Sequence, residues 1–221
     1  MGICMTLVAS ARPLDVRSPN LELQAQRKPY APVEVFEGGD TLISLGCPVT
    51  ASVEKPERGE WAMITDGKKE LDRDGESYLV KFAPGVQWVQ VDLRTSQVVN
   101  AVWVWRYSEK PGVCRDMVVQ LSDSADFQGG VTTVFNNDHN NSAGLGAGED
   151  KEYIETNEGR AIPVSGVRAR YVRVYSNGRY AEGDNRFDPS NYCSGIEVYG
   201  GEAISEEKVR IKVTYPKPVF R

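Results

Sequence analysis

The alternating side chains of residues 87–93 constrain the fold of this chain more than any other stretch. Val89, Val91 and Leu93 are apolar, and they alternate with polar or aromatic residues that begin at Trp88. A period of two residues is typical of a β-strand with one drier and one wetter face. The stretch therefore predicts a strand in a sheet that buries one of its faces.

Four more segments share this composition: residues 98–107, 117–122, 171–175 and 196–199. They are rich in Val, Tyr or Trp and are bounded by residues that favour turns. Shorter strands are predicted at 78–82, 131–135, 151–155 and 161–164, and no convincing amphipathic helix accompanies them. The chain is therefore predicted to be all-β, an antiparallel β-sandwich with Trp88 near its centre.

The charge of the chain argues against two classes of partner. It has 26 Lys and Arg against 31 Asp and Glu, a formal net charge of -5, and no cluster of basic residues with interleaved aromatics. Nucleic acids and anionic lipid surfaces are recognised by such clusters, so neither is predicted as a partner. The sequence also has no run of about 18 apolar residues, so no membrane-spanning segment is predicted.

Composition divides the chain into four parts. Residues 1–11 are apolar and end in Ala-Ser-Ala, which predicts the remnant of a secretory signal, the alternative being a disordered terminus. Residues 12–39 are polar and proline-spaced, which is typical of a linker. The folded domain is predicted at 40–201, followed by a tail or a linker to a further module at 202–221. The predicted location is secreted, periplasmic or at the cell surface.

The sequence contains four cysteines and does not determine whether they form disulfide bonds. Cys4, Cys47, Cys114 and Cys193 form no CxxC pair, and the chain has a single histidine, so a zinc site is not expected. A disulfide between Cys114 and Cys193 would join two predicted strand ends, with Cys47 as a competing partner. Such a bridge would stabilise the fold by a few kcal/mol in the chain-entropy picture.

No assembled catalytic motif is present in the sequence. His139 is the one histidine, and neither GxSxG nor HExxH occurs. The glycine-spaced residues 144–148 lack the lysine of a phosphate loop and are followed by Glu149 and Asp150, which would repel phosphate. The chain is therefore predicted not to be an enzyme.

Five segments taken in order resemble a known family: residues 64–67, 88–93, 119–123, 170–175 and 195–200. They resemble the discoidin-type domains, the jelly-roll, galactose-binding-like sandwich of coagulation factor V/VIII C-type domains and family-32 carbohydrate-binding modules. The resemblance covers about residues 40–201. It implies a non-catalytic module that binds a glycan or polysaccharide, tethered to other modules of a secreted or cell-surface, bacterial-type carbohydrate-active protein. A protein–protein or cell-adhesion domain is the alternative function, and a structural spacer is a third.

The resemblance also implies a structural calcium ion between an acidic loop and a glutamate of the last strand. The loop that begins at Asp66 carries the oxygen ligands that Ca²⁺ prefers. The alternative is a solvated acidic turn. The expected ligands are Asp66, Asp74, Ser77 and Glu197 with carbonyls from residues 63–74, and Asp72 is a further candidate.

Three segments carry the aromatic and planar polar groups that a sugar needs, and domains of this type bind at the loops of one end. The candidate residues are Arg106 and Tyr107, then Asn137, His139 and Asn140, then Tyr180, Asn185, Arg186 and Phe187. Either Arg106 or Arg186 would supply the guanidinium group. A neutral sugar fits the modest charge, whereas an anionic one would favour both arginines together.

Four further residues are predicted to be structural. Trp103 and Trp105 share one face of a predicted strand, and at least one of them is expected to pack in the interior. Arg170 and Arg173 are expected to make ion pairs at the rim of the sheet and not to contact a ligand.

Overall fold

The structure, a computed structural model, describes residues 21–22, 41–68, 79–107, 112–156, 158–181 and 186–200. The predicted signal remnant at 1–11, the tail at 202–221 and most of the predicted linker lie outside these residues. So do four candidate site residues: Asn185, Asp72, Asp74 and Ser77. No helix among the described residues is long and apolar enough to cross a membrane.

Strands make up most of the described residues, with one short 3-10 helix at Trp61–Thr65. In chain order the strands are β1 (Leu21–Glu22), β2 (Thr41–Leu42), β3 (Val49–Ala51), β4 (Val80–Phe82), β5 (Gln87–Trp105), β6 (Gly112–Cys114), β7 (Val118–Ser122), β8 (Thr132–Asn136), β9 (Glu152–Ile154), β10 (Arg160–Ser176), β11 (Arg179–Ala181), β12 (Phe187–Asp188), β13 (Asn191–Cys193) and β14 (Gly195–Gly200).

Two long antiparallel strands, β5 and β10, organise the fold. They pair from Arg160 with Val104 at one end to Ser176 with Gln87 at the other, with two register shifts between. The strands predicted at 87–93 and 98–107 are therefore two halves of β5, and those predicted at 161–164 and 171–175 are parts of β10. The prediction of separate strands is wrong because residues 94–96, although exposed like a turn, remain in the strand.

Both halves of β5 contribute to one hydrophobic core. Val89 and Val91 from its first half share this core with Val102 and Val104 from its second half. The two halves can meet only if the sheet folds back on itself between them. The predicted β-sandwich is therefore confirmed. The position predicted for Trp88 is wrong, because its half-buried ring lies on the opposite face of the strand from Val89.

The strands form one large sheet, one small sheet and a two-stranded pair. The large sheet has the order β2-β14-β5-β10-β7-β8, with β3 also paired to β5. The pair joins β13 to β4. The small sheet has the order β1-β9-β6-β11-β12 and is antiparallel except where β1 meets β9. The candidate site lies on the small sheet.

The fold-back of β5 and β10 brings their far ends together. Arg106 directly follows β5, and its Nη2 donates a hydrogen bond to the carbonyl oxygen of Gly178, just after β10, at 2.8 Å. We call this end, with residues 106–107, 112–117, 136–150 and 177–181, the loop end. The bend at 94–97 lies at the opposite end, where Arg94 Nη2 donates to Gly46 O at 2.9 Å.

The tryptophan pair and the two rim arginines are structural, as predicted. Among the described residues, however, the predicted ion pair is found for Arg170 and not for Arg173, whose Nε donates to Gln90 Oε1 at 2.8 Å. The rings of Trp103 and Trp105 stack with centroids 5.0 Å apart, each 7% exposed, in a cluster of their own outside the main core. Arg170 makes a bidentate pair with Asp92 at 2.7 and 2.8 Å. The guanidinium carbon of Arg173 lies 4.2 Å from the ring centroid of Trp88.

The disulfide predicted between Cys114 and Cys193 is not formed. Both of these cysteines and Cys47 are free and buried. The Cys114 sulfur instead accepts a hydrogen bond from Arg106 Nη1 at 3.0 Å. Burial raises the pKa of Cys114, and raises that of Cys193 to about 12, so both groups remain thiols at neutral pH.

Candidate functional site

The small sheet presents two different faces because side chains alternate along each strand. Cys114 lies opposite Tyr153, and Tyr180 lies opposite both Val113 and Phe187. Cys114 and Tyr153 belong to the main hydrophobic core, so their face of the small sheet points into the molecule. Arg115, Glu152, Tyr180 and Phe187 belong to the outward face.

The inward face holds a buried ion triad. Glu155 pairs with Arg179 at 2.6 Å and with Arg106 at 3.3 Å, and all three side chains are 2% exposed. Arg106 as a whole residue is 5% exposed. The prediction that Arg106 binds the ligand is therefore wrong, because its guanidinium group lies in the interior and holds the small sheet against the end of β5.

Asn137 is also a structural residue. Its Oδ1 accepts a hydrogen bond from Met117 N at 2.8 Å, and its Nδ2 donates to Cys114 O at 3.1 Å. The residue is 1% exposed, so a ligand has no access to the amide. The predicted ligand contact is therefore wrong. An asparagine amide can hydrogen-bond to sugar hydroxyls, but it can equally pair with backbone N–H and C=O groups that have no partner in the sheet.

A buried carboxylate organises the loop that follows β8. Asp138 accepts hydrogen bonds from Ser142 N at 2.8 Å and from Ala143 N at 2.7 Å. This arrangement leaves Asn140 exposed, with its Oδ1 accepting from Ser142 N at 2.9 Å. The loop therefore has a fixed shape around the neighbouring His139.

The ring of His139 is partly exposed and has a defined orientation. Its Nε2 lies 2.7 Å from Asp150 O. Because a carbonyl oxygen only accepts, Nε2 carries the hydrogen. Nδ1 lies 3.9 Å from Glu152 Oε1, so the second nitrogen of the ring faces the outward side of the small sheet.

A continuous row of side chains runs from His139 across the outward face. Glu152 also pairs with Arg115 Nε at 2.9 Å, and the Arg115 guanidinium carbon lies 4.1 Å from the Tyr180 ring centroid. The Tyr180 and Phe187 rings are 5.3 Å apart, and Phe187 is 42% exposed. We call these five residues the loop-end surface.

The structure thus brings together three predicted site residues and adds two that the sequence analysis missed. His139, Tyr180 and Phe187 lie on the loop-end surface, whereas Arg115 and Glu152 were not predicted. Residues 112–114 had not been predicted as a strand, so the pairing of β6 with β9 that joins Arg115 to Glu152 could not be foreseen. The one available signal was the alternation of residues 152–154, which places Glu152 and Tyr153 on opposite faces of the predicted strand.

The other candidate residues are less central. Tyr107 stacks on Tyr192 with centroids 5.0 Å apart, and the Arg179 guanidinium carbon lies 4.8 Å from the Tyr107 ring. Tyr107 is therefore half-buried, and it packs against these two side chains and does not belong to the loop-end surface. Arg186 is exposed directly before β12, next to Phe187.

Two of the four predicted calcium ligands are described, and one loop links them. Gly46 N donates to Thr65 O, the carbonyl just before Asp66, at 2.8 Å. Ser44 of the same loop accepts from Val198 N, adjacent to Glu197, at 2.9 Å. Asp66 and Glu197 offer hard oxygen ligands that suit Ca²⁺, although no three His, Cys, Asp or Glu among the described residues form a metal-binding group.

Known proteins match this chain by structure and not by sequence. No protein-family model matches the chain, and no curated protein matches it. Among solved structures, the chitosan-binding module 1 of a chitosanase/glucanase from Paenibacillus sp. IK-5 is 22% identical, with a TM-score of 0.47, covering 72% of this chain and 99% of that one. The lectin domain of lectinolysin, complexed with Lewis B antigen, is 16% identical with a TM-score of 0.48, covering 73% of this chain and 97% of that one.

One further structure reaches a higher structural similarity. The family 32 carbohydrate-binding module of NanJ from C. perfringens, in complex with galactose, has a TM-score of 0.50. It is 11% identical, and the match covers 72% of this chain and 98% of that one. Identity this low speaks for the fold alone. The chain has the galactose-binding-like β-sandwich fold of the family 32 carbohydrate-binding modules.

Proposed function

We propose that this chain is a non-catalytic carbohydrate-binding module that binds a glycan at the loop-end surface. The observation that carries the proposal is the exposed ring of Phe187, which lies beside Tyr180 in a row that also contains Arg115 and His139. The module would act in a secreted or cell-surface protein, tethered to other modules, where it meets extracellular glycans.

The chemistry of the row suits a sugar. A pyranose ring has an apolar C–H face, which packs against an aromatic ring such as Phe187. Its hydroxyl groups need directional partners, and Arg115 offers guanidinium N–H groups at a fixed position, with the imidazole of His139 in the same row. The residues of the row come from β9, β11 and β12, from the position directly after β6 and from one loop. The groups are therefore positioned before a ligand arrives, which lowers the entropic cost of binding.

A glycan array followed by calorimetry tests the proposal. We expect the wild type to bind at least one glycan, and Phe187→Ala and His139→Ala each to weaken that binding by about tenfold, since loss of a packed ring or a hydrogen bond costs about 1–2 kcal/mol. Leu45→Ala is the matched control, because Leu45 is 59% exposed but lies at the opposite end.

Two outcomes contradict this function. Full binding by both variants, with unchanged melting temperatures, would place the ligand elsewhere on the sandwich. No binding of the wild type to any glycan would favour the alternative, a protein–protein or cell-adhesion domain, and a pull-down with immobilised cell-surface protein would then follow.

We also propose that a structural Ca²⁺ ion is held by Asp66, Asp74, Ser77 and Glu197. The hard oxygen donors of the set and the loop that links Asp66 to Glu197 support it. An ion bound only by the folded state stabilises it by mass action, so excess chelator should lower the melting temperature and added Ca²⁺ should restore it. Asp66→Asn should abolish the response to chelator, while Asp123→Asn, on an exposed turn, should keep it. An identical melting curve in chelator, with no calcium by elemental analysis, would exclude the ion.

A further inference from the structure

Two stacked tryptophans lie on the outer face of the large sheet, away from the main core. Trp103 of β5 is opposite Ala161 of β10 in the register of the sheet. Val104, between the two tryptophans, belongs to the main core, so the alternation of side chains turns both indoles outward. Tyr199 of β14 packs against the pair and adds a third ring. We call Trp103, Trp105 and Tyr199 the aromatic strip.

Polar atoms of the aromatic strip are paired within the sheet and its loops. Trp103 Nε1 donates a hydrogen bond to Glu158 O at 2.8 Å. Tyr199 Oη donates to Glu197 Oε2 at 2.6 Å. What the strip offers to a further partner is therefore the carbon surface of its rings, and the partner that fits such a surface is a set of apolar side chains.

Rings that point outward from a sheet should be well exposed, but the two indoles are not. Each tryptophan is 7% exposed, and the described hydrophobic residues packed against the pair are Ala161 and Tyr199. One methyl group and one ring cover little of two indoles, each of which has roughly 150–250 Å² to bury. Trp105 and Tyr199 each have a further interaction, so neither side chain is free. The remaining cover therefore comes from another part of the chain.

The carboxyl-terminal sequence has a pattern that fits this strip. Residues 209–215 alternate strictly, with apolar side chains at positions 209, 211, 213 and 215 and polar ones between them. An extended segment with this period has one apolar and one polar face. Pro216 and Pro218 follow, and proline favours an extended backbone that needs no ladder hydrogen bonds. The segment can therefore lie across a sheet face while its backbone bonds to water.

The place of this segment in the chain also brings it to the aromatic strip. β14 carries Tyr199 and ends at Gly200, so the chain leaves the sheet beside the strip. Residues 201–208 connect β14 to the alternating segment. A connection of this length reaches about 27 Å when extended, and a reversal of direction needs only about two to five residues. The segment can therefore turn back over the strip without stretching the connection.

We propose that residues 209–215 dock on the aromatic strip as an extended strap, with Ile211 and Val213 against the two indoles. Arg210 and Lys212 then face water on the other side of the strap. The folded domain consequently extends beyond residue 201, and residues 202–221 are not a free linker. This inference does not depend on the glycan-binding function.

Tryptophan fluorescence of the full chain tests the contact. Quenching by acrylamide reports how well a solute reaches the indoles. We expect Ile211→Asp, which places a charge on the apolar face of the strap, to increase quenching and to shift the emission to longer wavelength. Thr214→Asp is the matched control, because the same charge on the polar face should leave both readings unchanged. The emission of Trp61 and Trp88 is common to all three proteins and cancels in the difference.

A double-mutant cycle tests whether the strap and the strip touch. Trp103→Leu and Ile211→Ala should each lower the urea midpoint of the full chain. If the side chains are in contact, the double variant should lose clearly less than the sum of the two single losses. Trp103→Leu combined with Thr214→Ala is the control, and its losses should add. Simple destabilisation of the fold does not produce this difference between the two pairs.

Increased quenching in Ile211→Asp but not in Thr214→Asp, together with coupling in the cycle, supports the inference. Unchanged quenching in folded Ile211→Asp, or additive losses for Trp103→Leu and Ile211→Ala, overturns it and assigns the cover to another segment. Wild-type quenching that rises on dilution shows that a second copy covers the strip, and this also overturns the inference. Glycan binding by the same variants should match the wild type, so a failure of the glycan-binding function is recognised separately.

Discussion

At the scale of single residues, the pair of Arg170 and Asp92 ties the two long strands together. Arg170 donates from Nε and Nη2 to the two carboxylate oxygens of Asp92 at 2.7 and 2.8 Å. The hydrogen bonds from Arg170 hold the pKa of Asp92 below its ordinary value, even though burial opposes the shift. A carboxylate whose pKa is lowered by folding stabilises the fold above its unfolded pKa, and this contribution is lost as the pH falls through the folded pKa.

Asp92→Asn should therefore flatten the acid side of the stability profile. Between roughly pH 5 and pH 2 the wild type should lose more unfolding free energy than the variant, because the variant has one fewer carboxylate to protonate. Urea unfolding at several pH values measures the difference, with Asp123→Asn on an exposed turn as the control. Equal losses in wild type and Asp92→Asn would show that the pair does not couple folding to protonation.

At the scale of elements, the small sheet depends on a close approach between β6 and β11. A Cβ atom added at Gly112 would overlap Arg179 Nη2 and lie 2.8 Å from Tyr180 O. Glycine at this position therefore lets Arg179 reach Glu155 and lets β11 carry Tyr180 beside Arg115.

Gly112→Ala should accordingly destabilise the protein by about 1–3 kcal/mol, as expected when atoms are added to a filled interior. Gly129→Ala is the matched control: a Cβ there meets nothing within 4 Å, so its effect should stay within about 0.5 kcal/mol. Urea unfolding compares the two. A similar small effect for both would mean that Arg179 can move aside without cost.

At the scale of the whole molecule, stability comes from the interior and not from covalent bridges. Cys47, Cys114 and Cys193 are buried as free thiols, and Arg106 already occupies the hydrogen-bonding position beside Cys114. A reducing agent should thus leave the melting temperature unchanged. Thiol titration of a Cys4→Ser variant should find three reactive groups after denaturation and slow reaction before it. A lower melting temperature in reductant, or fewer than three thiols, would indicate a bridge.

Much of the sandwich could be predicted from local sequence. The alternation of Val89, Val91 and Leu93 correctly gave the buried face of the first half of β5, because a strand with one face in the core must repeat every two residues. The same reasoning placed Trp103 and Trp105 on one face. The prediction failed at residues 94–97. These residues are polar, as the residues of a turn are, but the strand continues through them.

The sequence by itself determined the all-β class, the apolar faces of the strands and the presence of His139, Tyr180 and Phe187 in segments outside the central strands. Only the tertiary structure decided which of the candidate residues meet. Arg106 and Asn137 have the chemistry of ligand-binding residues but fill the interior, whereas Arg115 reaches the surface through the pairing of β6 with β9. The physical reason is that a side chain's access to solvent depends on contacts between strands far apart in the chain, and a local pattern carries no record of them.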